Sequence, residues 1–342
     1  LVALGLAALV LVCFWLLRRS IIAPAGMVGV ILAVGVVLAV SAGLRTYQRY
    51  FVEWGPSEEA RLEYHVYDLE LAGLMARESG PETVYLLPLD STAGIVNPLL
   101  DTITFVYEGQ AGYDFLPDDE RITASRLTEG AAGRQKVRLL TWKVTKHTGA
   151  DPKNLADYYL EKWGEWQNRD SYQYFDIDTY ALSEGAVTFG PAELFPLDVV
   201  FEGQMALTGA AFGPEVGAGQ GNMVGASGRV WVELAWEKLA ESPDDYQASI
   251  WLEDETGHPV GQVDKQLWSG EGHQPTSKWP AGSAERDYYL LRIDPTAPPG
   301  PYHLKAVLYD GATGRRLAPE LPEMGADLAV ILGELTVMPA FE

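Results

Sequence analysis

The nine residues Tyr246 to Asp254, YQASIWLED, alternate between two faces. Tyr246, Ala248, Ile250 and Leu252 stand on one side, and Gln247, Ser249, Trp251 and Glu253 on the other. A period of two is the mark of a strand with one buried face. The same pattern recurs on both sides of it. Val230, Val232, Leu234 and Trp236 alternate upstream, while Tyr289, Leu291 and Ile293, and then Tyr302, Leu304, Ala306 and Leu308, alternate downstream. Turn sequences fall between the runs at Glu255-Thr256-Gly257, Pro298-Pro299-Gly300 and Asp310-Gly311. With further strands expected over Glu202 to Phe212, Val260 to Trp268 and Leu328 to Val337, residues 186–342 read as an all-β sandwich of immunoglobulin or jelly-roll type.

Residues 46–185 read differently, as a small α/β domain. Ser57 is placed to cap a helix running to about Arg77. Short apolar runs at Val84 to Leu87, Ile103 to Tyr107 and Leu139 to Val144 are expected strands, and interleaved strands and helices predict a mainly parallel sheet. The polar stretch Glu108 to Lys136 reads as loop. Asp151-Pro152 signals a helix start, with Leu155, Tyr158, Tyr159 and Trp163 following at helical spacing. A further segment, Tyr172 to Leu182, precedes the domain junction near Gly185 to Pro196.

Residues 1–45 hold two chargeless runs, 1–17 and 20–44, separated by Arg18 and Arg19. About 20 apolar helical residues cross a bilayer core of roughly 30 Å, so this region is expected to form a transmembrane helical hairpin, with the lipid bilayer as its partner. The Arg pair would sit in the cytoplasmic loop, which puts everything after it on the extracytoplasmic side of a cell membrane. Arg18, Arg19, Arg45, Tyr47, Tyr50 and Trp54 are then the expected interface anchors. Because the sequence opens on Leu1 within an apolar run, an N-terminal part is expected to be missing.

After Arg45 the chain carries 22 basic against 47 acidic side chains, a net of −25. Such a surface repels nucleic acid. Cys13, the single cysteine, lies within the first apolar run, so no disulfide framework is possible in the domains beyond it.

No catalytic, cofactor or metal signature emerges. The glycines of Gly213 to Gly228 precede a strand and lie outside any strand-helix-strand unit, which argues for a loop over a phosphate cradle. His65, His147, His258, His273 and His303 lack zinc-ligand spacing. Asp176-Ile177-Asp178 could offer oxygens to a cation, but two solvated Asp on a strand explain it better. The aromatic residues suggest more. Trp231, Trp251, His303 and Tyr309 fall on polar strand faces, and Trp268 and Trp279 lie in a polar loop region. Trp231, Trp251, Trp268, Trp279 and Tyr309 are therefore candidates for stacking on sugar rings, the alternative being a second packing surface against the α/β unit or a membrane enzyme.

The runs WLEDETGHPVGQVD (251–264), PTSKWPAG (275–282) and DYYLLRIDPTAPPGPYHLKAVLYDGATGRRL (287–317) resemble the C-terminal β-sandwich of bacterial membrane glycosyltransferases of the GT-C class, the dolichyl-phosphate-mannose protein mannosyltransferase-like group. TYQRYFVEWG (46–55) and TVYLLP (83–88) resemble the α/β unit that those proteins place before it. The resemblance implies a multi-spanning enzyme that takes a sugar from a polyprenyl-phosphate donor on the outer face, with acidic catalytic residues in its first external loop. No counterpart of that loop is present here, so no catalytic residue is carried over. The resemblance thus implies a non-catalytic C-terminal portion that partners the remaining membrane helices of the enzyme and either recognises glycan, acceptor or polyprenyl-phosphate-linked sugar or simply supports the membrane portion. A membrane-anchored binding or scaffold protein without enzymatic activity is the competing reading.

Overall fold

The computed structural model describes residues 15, 18, 24–63, 66–78, 80–89, 103–117, 120–143, 153–182, 187–214, 222–270, 273–321 and 326–339. By internal contacts the chain divides into two units, Leu1–Glu70 and Leu71–Glu342. Among the described residues strand outweighs helix, 44% against 26%.

The first unit corrects an expectation. A transmembrane hairpin over residues 1–45 is not seen, and among the described residues no helix is long and apolar enough to cross a membrane. Pro24–Tyr47 is a single helix, α1, which runs on into a π-helical stretch, Gln48–Trp54. Hydropathy scores each residue's preference for leaving water one at a time, and it does not report whether two runs fold back on each other. Of the expected anchors, Arg18, Arg45, Tyr47 and Tyr50 are exposed and Trp54 is half-buried, its ring edge-on to Tyr50 at 5.9 Å. Arg19 and the run around Cys13 lie outside the described residues. Ser57 does cap a helix: its Oγ accepts from the Ala60 amide at 3.2 Å. That helix, α2, ends at Glu63, and Val66–Glu78 forms α3.

In the second unit, β1 (Thr83–Leu89), β2 (Gly112–Pro117), β3 (Lys136–Trp142), β4 (Gly164–Ser171) and β5 (Phe175–Leu182) form one sheet in the order β2-β1-β3-β5-β4. Only β1, β2 and β3 are parallel; β5 runs antiparallel to both β3 and β4. The expectation of a parallel sheet therefore holds for half of it. Residues 103–106, expected as a strand, are helical, and the stretch expected as loop supplies both β2 and α4 (Glu120–Ala131). Four residues are too few for apolar composition to separate strand from helix, and Phe105 indeed stands 83% exposed instead of entering a sheet. α5 (Leu155–Trp163) begins at Asn154, whose φ of 54° is left-handed; Asp151 and Pro152 lie outside the described residues.

The β-sandwich follows as expected. One sheet is β12-β9-β7-β6, built from Ala284–Arg292, Arg229–Lys238, Met205–Pro214 and Phe195–Phe201. The other is β11-β10-β13-β14-β8, built from Pro259–Gln266, Tyr246–Asp254, Gly300–Asp310, Val330–Met338 and Met223–Gly225. β8 is drawn from the glycine-rich segment. The alternating residues meet where the period places them. Val232, Leu234, Trp236, Ile250, Leu252, Tyr289, Leu291, Leu304 and Leu308 share one buried core. A second core lies under the α/β sheet, where Leu86, Leu139, Tyr159, Leu160 and Tyr180 pack together with Tyr288 of β12. The sandwich and the α/β layer are thus joined through the outer face of β9 and β12.

Candidate binding cavity at the layer junction

β9 presents Val230, Val232, Leu234 and Trp236 to the sandwich core, so the pleat turns Arg229, Trp231 and Glu233 the opposite way, toward α5. β12 does the same with Arg286, Tyr288, Leu290 and Arg292. α5 answers with polar residues at helical spacing, Asp157, Tyr158, Glu161 and Lys162.

Glu233 is the hub of this junction. It is fully buried, and its Oε1 accepts from Tyr158 Oη and Lys162 Nζ, each at 2.8 Å, while Oε2 accepts from Arg286 Nη1 at 2.8 Å. The Ala192 amide reaches both oxygens at 2.9 Å. Burial lowers the Lys162 pKa, with Glu233 opposing the shift, and burial together with Glu233 drives the Tyr158 pKa well up. Lys162 Nζ also stands 4.2 Å from the centre of the Trp231 ring. A second buried cation, Lys153, donates to Glu120 Oε2 at 2.6 Å and to the Arg286 carbonyl at 2.7 Å, and Tyr288 Oη donates to Glu120 Oε1 at 2.8 Å. A buried charge is tolerable only when paired and hydrogen-bonded, and each of these is.

Beside the hub lies a cavity of about 140 Å³ between α5, β4, β11 and β12. Asp157, Glu161, Arg169 and Arg292 line its polar side, and Val263 and Leu290 its apolar side. Glu161 pairs with Arg229 and lies 3.6 Å from Arg292; burial raises its pKa while the two guanidiniums pull it back. Tyr180 Oη donates to Asp157 Oδ1 at 3.2 Å. Arg169 grips the buried Asp178 with Nε at 2.9 Å and Nη2 at 2.6 Å, and Trp166 Nε1 donates to the same carboxylate at 3.0 Å. Asp178 is therefore not the solvated residue its alternation suggested. Its neighbour Asp176 is taken by Lys143 at 2.6 Å and Ser171 at 2.7 Å, and its pKa is lowered: burial, which raises it, is outweighed by these hydrogen bonds and the Lys143 charge. The Asp-x-Asp pair is thus spent on cations of the chain itself. Among the described residues no group of His, Cys, Asp and Glu could hold a metal ion.

The candidate stacking residues lie on β9, β10 and β13 and in the segment between β11 and β12. Trp231 is half-buried at the junction, donating to the Pro214 carbonyl at 2.9 Å. Trp279 is buried and donates to the Gln274 carbonyl at 2.8 Å. Trp251, on the outer face of its sheet, is 8% exposed, donates to Glu253 at 2.7 Å and lies under Arg316. Trp268 and Tyr309 are half-buried, the latter donating to Gln247 at 2.8 Å, and His303 Nδ1 stands 3.6 Å from Glu334. Sequence reasoning missed the cavity. The available signal was the carboxylate pair Asp157 and Glu161, one helical turn apart, together with charged residues at outward positions of the strongly apolar β9.

No protein-family model matches the chain, and no curated protein matches it. Among solved structures it is similar to the C-terminal domain of wzt, at a TM-score of 0.30 and 11% identity over 44% of this chain and 81% of that one. It is also similar to the CARDB domain of the PF1109 protein from Pyrococcus furiosus, in complex with di-metal ions, at 0.22 and 12% over 41% and 97%. An immunoglobulin-like protein from Pseudomonas aeruginosa matches at 0.19 and 10% over 42% and 98%. Likenesses this slight carry no argument about what the chain does.

Proposed function

We propose that this chain is the non-catalytic C-terminal portion of a glycosyltransferase that uses a polyprenyl-phosphate sugar donor, and that its α/β and sandwich domains lie outside the cytoplasm and hold glycan or acceptor for that enzyme. The observation that carries the non-catalytic part is the fate of the junction's charged groups. Lys162 of α5 and Glu233 of β9, on facing layers, are each buried and bonded to each other, and Glu233 also to Tyr158 and Arg286. A general acid or base must come within hydrogen-bond reach of the proton that it moves, and these groups are spent on joining the two layers. The strongly acidic composition supports a surface that stays clear of nucleic acid.

The test compares two proteins given a labelled polyprenyl-phosphate sugar and a peptide or glycan acceptor. The product of the whole gene should transfer label, and the chain of residues 1–342 alone should not. Transfer by the chain alone overturns the non-catalytic assignment. A whole-gene product that never transfers label overturns the link to a transferase and leaves a binding or scaffold protein.

A further inference from the structure

We infer that the junction cavity binds one pyranose ring of a carbohydrate. The inference deepens the proposed function and rests on it for the role of the bound sugar, but its site is argued from the cavity itself. The cavity, about 140 Å³, is open to solvent on one side, so one edge of a pyranose ring can seat in it while the remaining hydroxyls stay at the mouth.

The lining selects the chemistry. Its charges are already matched inside the chain: Arg169 by Asp178, Glu161 by Arg229 and Arg292, and Lys265 by Asp287 at 3.8 Å. An anion would meet the carboxylates of Asp157 and Glu161, and a cation would meet the two guanidiniums. A neutral ring bearing several hydroxyls suits both, because each hydroxyl can donate to a carboxylate and accept from an N–H. Leu290 and Val263 give the C–H face of such a ring an apolar floor. The side chains of Arg169 and Arg292 are 48% and 68% exposed, so the cavity's polar rim reaches solvent and a longer glycan could continue outward.

The experiment uses the full chain and ligand-observed saturation-transfer NMR, with methyl pyranosides of glucose, mannose, galactose and N-acetylglucosamine, their trisaccharides, and inorganic phosphate as the anionic probe. At least one sugar should bind, with a Kd on the order of millimolar, as befits a ligand of so few atoms. Asp157→Asn should weaken binding about tenfold, the loss of one charge-assisted hydrogen bond, and stay folded, because its amide oxygen can still accept from Tyr180. Leu290→Trp should abolish binding by filling the floor; if that variant unfolds, Asp157→Asn decides. A trisaccharide that binds more tightly than its pyranoside identifies a glycan chain as the source, and equal binding identifies a single sugar; either supports the site. Silence from every sugar, binding unaffected by Asp157→Asn, or binding of phosphate without sugar overturns it. Binding is read on the isolated chain and transfer on the whole gene product, so either result can fail without the other.

Discussion

Replacing Glu233 with alanine tests the reading that the two layers are locked by buried charge. The carboxylate accepts from Tyr158, Lys162, Arg286 and the Ala192 amide, and all of it is shielded from water. Alanine would strand Lys162, itself only 5% exposed, next to an unsatisfied phenol and amide. Removing one partner of a buried ion pair costs about 3–5 kcal/mol. At about 2–4 °C per kcal/mol for a unit of this size, that is a drop of roughly 6–20 °C in Tm. Denaturant unfolding of Glu233→Ala, Lys162→Met and the double variant should show strong coupling, because the double variant leaves no lysine charge unpaired. The loss in Glu233→Ala should also depend on pH. The folded Lys162 pKa lies below its unfolded value, so the unfolded chain holds more protons and stability rises with pH through that window. The deficit is therefore greatest in mild acid and shrinks toward the ordinary lysine pKa. A loss below about 1 kcal/mol, or additive single effects, would refute the lock.

Burial pushes the Asp68 carboxyl up to about 7. A raised carboxyl contributes fully below the ordinary value near 4 and loses that contribution progressively as pH climbs from there through about 7; Asp68→Asn should thus gain most in melting temperature over the parent at pH 8, less at pH 5 and hardly at all below the ordinary carboxylate value. Trp236 is wholly buried in the sandwich core, and Trp236→Ala should cost about 3–5 kcal/mol in denaturant titration. A Cβ on Gly261 would stand 2.6 Å from the Arg292 carbonyl oxygen, a backbone atom unable to turn aside, so Gly261→Ala should cost about 1–3 kcal/mol in the same assay.

Alternation was enough for the sequence to determine the sandwich. A strand with one wet face must place its apolar residues every second position, and Val232, Leu234 and Trp236 do meet Ile250, Leu252 and Leu304 in one core. Ser57 was likewise legible as a cap, because its work is done within one turn. The remainder depended on distant partners. Residues 103–106 are helix where a strand was expected and 112–117 strand where a loop was expected, since a run so short takes its form from its neighbours, and among the described residues no N-terminal membrane hairpin is seen. The outer face of β9 was read as polar, and its Arg229 and Glu233 are charged, but polarity does not say whether water or protein will satisfy it. That is settled by Lys162 meeting Glu233 from 71 positions away and by Lys153 meeting the Arg286 carbonyl from 133. Pairings of that range exist only once the layers have closed, and the junction cavity exists with them.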